Sequence, residues 1–67
     1  MNNLYAVNKE SGNVVVQIVY DKRRDKFRFV NLTRGHICTC EFETVLDAVN
    51  DMKDKKYNGE IIDFIKI

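Results

Sequence analysis

The sequence predicts an α+β domain: a four-stranded antiparallel β-meander, one amphipathic helix, and a final strand (β-β-β-β-α-β), with the helix packed on one face of the sheet. Three observations carry this. As far as Phe42 the chain consists of short segments rich in β-branched and aromatic residues, such as VVVQIVY and KFRFVNLT, which read as strands. In ETVLDAVNDMKDKKY the period changes to the three-and-four spacing of a helix. Polar clusters with glycine, ESGN, TRGH and YNGE, punctuate the chain, and proline is absent.

Asn3 to Val7 reads as a short first strand, and KESGN as a turn in which Gly12 and Asn13 accept positive φ. VVVQIVY, Val14 to Tyr20, is β-branched and is predicted as a strong strand. Val14, Val16, Ile18 and Tyr20 form one of its faces; Val15, Gln17, Val19 and Asp21 form the other. After the turn KRRD, Lys26 to Thr33 is the third strand, with a β-bulge expected where Phe29 and Val30 adjoin. Arg34-Gly35 is expected as a tight hairpin turn. His36 to Phe42 is the fourth strand.

Val45, Ala48, Val49 and Met52 lie on one helical stripe. Thr44 suits the N-cap and Asp47 the positive end of the dipole, while Lys53, Lys55 and Lys56 suit the other end. Asp51 and Lys55 are spaced for an ion pair. Asn58-Gly59 is a helix stop, and Glu60 to Ile67 is the last strand. The stripe should pack on Val14, Val16, Ile18 and Tyr20, with Cys38, Cys40 and Phe42 joining that face.

One helix covers one face of a sheet, yet the other face is not clearly polar. Val15, Val19 and Ile37 fall there. The last strand is apolar on both sides, with Ile61, Ile65 and Ile67 on one and Ile62 and Phe64 on the other. Such a strand is ordinarily covered twice. Curling of the sheet is one solution and a second subunit the other. A chain of 67 residues is a single domain, residues 1–67, and buries only roughly 60% of its unfolded surface. So small a core gains most from association, which favours a homodimer. The candidate partner interface is Val15, Val19, Ile62 and Phe64.

The totals bound the function. Hydrophobic residues make up 45% and charged residues 31% of the chain, the balance of a soluble globular protein rather than a disordered one. No apolar run approaches the roughly 18 residues of a membrane span, and no leader is visible at the N-terminus, so the expected location is cytoplasmic and no membrane partner is expected. In that reducing compartment two cysteines are most simply free thiols. Net charge is +1, below the basic excess usual in non-specific nucleic-acid binders.

His36-x-Cys38-x-Cys40 places three metal-competent side chains on alternate positions. On a regular strand His36 and Cys40 stand about 13 Å apart, too far to share a zinc ion whose bonds are about 2.3 Å or shorter. A Cys38–Cys40 disulfide is disfavoured on the same strand geometry. The two cysteines are therefore read as small core residues. No nucleophile–base set, phosphate loop or metalloprotease motif is present, so no enzymatic activity and no cofactor is expected.

DKRRDKFRF, Asp21 to Phe29, concentrates positive charge at a hairpin tip. Lys22, Arg23, Arg24, Lys26 and Arg28, extended by Arg34, form a candidate anion or nucleic-acid patch. Outward Phe27 and Phe29 would stack bases. Inward, they would be core, with Lys26 and Arg28 in solvent, and the small core favours this second arrangement. The expected function is thus a small non-enzymatic binding protein, a protein–protein interaction module or accessory or inhibitory regulator acting as a homodimer. Nucleic-acid binding through Lys22–Arg28 is the alternative.

Overall fold

The computed structural model describes residues 3–67. Its elements are β1 (Leu4–Asn8), β2 (Val14–Asp21), β3 (Lys26–Asn31), β4 (His36–Ile37), α1 (Val45–Tyr57) and β5 (Asp63–Lys66). The strands form one sheet in the order β4-β3-β2-β1-β5, and every neighbouring pair is antiparallel. The two edge strands, β4 and β5, therefore run in the same direction. Like-directed strands need a crossover rather than a tight turn, and α1 supplies it, carrying the chain from one edge of the sheet to the other. The α+β class and the element order agree with the sequence reading.

The β2–β3 and β3–β4 hairpins use four-residue turns closed by a residue in the left-handed region. Asp21 pairs with Lys26 and Asn31 with His36, and Asp25 (φ 54) and Gly35 (φ 66) hold equivalent last positions. The side chains of Asp21 and Asn31 begin these turns by accepting from the N–H groups of Arg23 and Arg34, each at 3.0 Å. Asp and Asn favour turns because they offer the backbone this bond.

α1 starts and stops where local chemistry directs. Thr44 Oγ1 accepts from the Asp47 N–H at 3.0 Å, and Lys55 pairs with Asp51 at 3.0 Å. Asn58 caps the C-terminus, and Gly59 follows with φ 79. The helix lies over the sheet face that presents Tyr5, Val7, Val14, Ile18 and Phe29. Ala48, Met52 and Ile61 complete the buried core, and Val16, Val45, Val49 and Phe64 pack around it. Tyr20 shares this face but sits at its end, tilted against Phe27 with ring centroids 5.3 Å apart and half exposed.

Three expectations are corrected. The bulge is not at Phe29-Val30, where the β2–β3 register runs unbroken from Val16–Asn31 to Asp21–Lys26. It lies on the facing segment. Cys38 donates its N–H to Phe29 O, whereas Phe42 pairs with Phe27 through two bonds of 2.8 and 2.9 Å. Two residues of β3 are thus spanned by four of the opposing chain, so β4 ends at Ile37 instead of reaching Phe42. Secondly, the faces of the last strand are exchanged. Phe64 pairs with Val7 and meets the buried Tyr5 edge-on, so it belongs to the helix side, while Ile65 pairs with Ala6 on the other side. The alternation breaks before β5, where Ile61 is buried and Ile62 exposed.

The third correction concerns sulfur chemistry. Cys38 and Cys40 are joined in a disulfide with Cα atoms 5.3 Å apart, and neither is a free thiol. The geometric objection applied to a regular strand. In the bulge the two side chains no longer alternate with the strand's pleat, and the Cα separation is within the usual disulfide range.

Candidate binding surfaces

The face of the sheet turned away from α1 carries side chains in rows that follow the register. One row crosses all five strands: Ile67, Leu4, Gln17, Val30 and Ile37. The link to Ile67 is its N–H, which donates to Leu4 O at 2.9 Å. A second row holds Ile65, Ala6 and Val15, and Leu32 continues it by donating its N–H to Val15 O at 2.8 Å. Val19 begins a third row beside Arg28. Ile37, Ile65 and Ile67 are 59%, 67% and 66% exposed, and Leu32 is 48% exposed. Val15, Val19 and Val30 are half-buried by their neighbours. With strands about 4.8 Å apart, the rows extend roughly 19 Å across the sheet. Apolar residues scattered singly over a surface are ordinary, but contiguous rows of this extent mark interaction surfaces.

Of the four residues singled out from sequence for this surface, Val15 and Val19 lie on it. Ile62 is exposed just before β5, outside the rows, and Phe64 is on the opposite face. The residues missed were Leu32, Ile65 and Ile67. Ile65 and Ile67 depend on register, because parity along β5 is set by where it enters its pairing with β1, and sequence alternation does not record that; Leu32 joins the face just past the end of β3, through its bond to Val15.

The basic residues are less available than their spacing suggests. Arg24 Nε lies 2.6 Å from Glu41 Oε2, and Lys26 Nζ 2.5 Å from Glu43 Oε1. Arg28 reaches Glu41 at 2.9 Å and the Cys38 carbonyl at 3.3 Å. Its Nε stands 3.0 Å from Asp21 Oδ2 but off the direction of a hydrogen bond. The Arg28 side chain is only 15% exposed, so its expected projection into solvent is corrected: Asp21 and Glu41 draw it down against the open face. The bulge makes this possible by carrying Glu41 back along β3. Among the described residues, Lys22, Arg23 and Arg34 make no ion pair. Arg34 is at the other end of β3, roughly 17 Å from the Lys22–Asp25 turn. Phe29 is buried under the helix, and Phe27 is held between Tyr20 and the Phe42 bridge, so neither ring is presented beside the basic tip.

His36, Cys38 and Cys40 do not converge as ligands, and among the described residues no three His, Cys, Asp or Glu side chains come together as a metal site. Among the same residues no helix is long and apolar enough to cross a membrane. Comparison with protein-family models, with curated proteins and with solved structures gave no match.

Proposed function

We propose that this chain is a non-enzymatic binding protein that works as a homodimer, its open sheet face packed on the same face of a second copy. The observation that carries the reading is the pair of apolar rows crossing the sheet from Ile65 and Ile67 to Leu32 and Ile37. Two further features favour a second copy as the occupant. The rows contain no charged side chain and only Gln17 as a polar one, so they offer an ionic partner little to recognise. The charges that flank the rows, Arg28 and Asp63, are already paired, Arg28 with Asp21 and Glu41 and Asp63 with Lys56. A two-fold axis brings each group near its own duplicate, and here that arrangement adds no like-charge repulsion. Sheets stack face to face about 10 Å apart with strands offset by about 30°, which suits a broad face of branched aliphatic residues. The homodimer is then the form that meets a protein partner.

Sedimentation equilibrium over a wide concentration range tests the reading. The wild-type chain should sediment as a dimer. Ile65→Asp, an exposed position whose change leaves the core intact, should sediment as a folded monomer. A wild-type monomer throughout would overturn the homodimer and leave the face to a different protein.

A further inference from the structure

On the opposite side of the molecule, α1 does not seal completely against the sheet. Between the C-terminal half of the helix and β1, β2 and β3 there is a cavity of about 150 Å³. Its floor is apolar: Val7, Val16, Phe29 and Met52. Its polar lining comes from Lys9, Asn31, His36 and Lys55, and no acidic side chain lines it. These groups arrive from four separate parts of the chain.

The polar groups are biased toward donation. Lys9 makes no ion pair among the described residues. Lys55 Nζ lies 5.1 Å from the centre of the Phe29 ring while still paired with Asp51, which holds the ammonium over the floor. Asn31 already uses its side-chain oxygen to accept from the Arg34 N–H, leaving its NH₂ group to donate. His36 adds a ring N–H. An apolar pocket with a few converging polar groups is the usual form of a small-molecule site. A volume near 150 Å³ accommodates a molecule about the size of benzene.

We infer that this cavity binds a small carboxylate carrying one apolar ring or branched chain, with the apolar body on Phe29 and Met52 and the carboxylate between Lys9 and Lys55. The site is separate from the open sheet face, so it stands or falls independently of the homodimer. Shape and charge each exclude a class of competitor. A bare inorganic anion leaves the apolar floor uncovered, and a neutral aromatic leaves Lys9 without a counter-charge.

The experiment is a titration of the ¹⁵N-labelled full chain with sodium benzoate at constant ionic strength, followed by amide shifts. Benzyl alcohol and inorganic phosphate serve as comparison probes. Benzoate should give saturable shifts centred on Lys9, Phe29, Asn31, His36 and Lys55. The double variant Lys9→Gln/Lys55→Gln, checked as folded from its spectrum, should weaken benzoate by about ten-fold or more. Absence of saturable shifts at these residues overturns the site. Equal response to benzyl alcohol overturns the role of charge, and equal response to phosphate overturns the role of the apolar floor.

Discussion

Ala48 has no exposed surface at all, and its single methyl sets how closely α1 approaches the sheet. A larger side chain has nowhere to go without lifting the helix. Ala48→Leu should therefore cost about 1–3 kcal/mol through overpacking, read as a lower urea midpoint with an unchanged slope. Three surface groups give stability a pH signature. Lys26 is held above its ordinary value of 10.5 chiefly by its hydrogen bond to Glu43, and Tyr20 above 10.0 chiefly because its hydroxyl donates to Asp25. For both groups the stabilisation is fully present below the unfolded value and is lost as pH rises through the folded one. Asp63 is shifted the other way. It accepts from Lys56 and from the Phe64 N–H, which holds it below 3.8, so its contribution is present above that value and disappears as pH falls through the lowered one. Urea midpoints should thus be level across neutral pH and decline above about pH 10, with a shallower decline in Tyr20→Phe. Parallel alkaline declines in the two proteins would show that the Tyr20–Asp25 bond contributes nothing.

Among the elements, the helix was the most legible. Its period, its Thr44 cap, its Asp51–Lys55 pair and its Asn58-Gly59 stop are all local chemistry, and local chemistry is written in consecutive residues. The segment after Gly35 was the least legible. His36 to Phe42 alternates as a strand should, but it carries two residues more than the β3 segment it faces, and no local signal marks that excess. The same misreading hid the disulfide and placed Arg28 in solvent. The bridge closes a loop of only three residues, for which the chain-entropy relation gives about 1–2 kcal/mol. Cys38→Ala/Cys40→Ala should lose about that much stability and become indifferent to added dithiol, whereas the wild-type chain should weaken when reduced. A wild-type urea midpoint unaffected by reductant would show that the bridge does not hold the bulge.

At the scale of the whole molecule, a local cluster of positive charge in the sequence became a half-neutralised patch. The acids that answer Arg24, Lys26 and Arg28 come from Glu41 and Glu43, distant in sequence and adjacent only in the fold. This bears on the nucleic-acid alternative. If all six basic residues met phosphates, the logarithm of affinity would fall with the logarithm of salt at a slope of about −5; with only Lys22 and Arg23 free at the tip, it should be about −2 or shallower. Fluorescence anisotropy of a labelled duplex oligonucleotide over a salt series distinguishes the two. A slope near −5 would mean that phosphates displace the carboxylates, and would bring nucleic-acid binding to the front.

The two ends of the strand order are unlike, and this limits how copies can join edge to edge. On one side β4 offers just two residues before the chain leaves strand geometry at the bridged bulge. On the other, β5 offers four, with a charged residue at each end. Polymerisation by strand addition requires two competent edges on every copy. A molecule with one blunt edge can add a neighbour only at the other, and a two-fold pairing of β5 with β5 uses both open edges at once. Growth stops there. Edge-to-edge growth of the native fold is thus self-limiting, and fibrils built by strand addition should form only after the β4 edge has come apart.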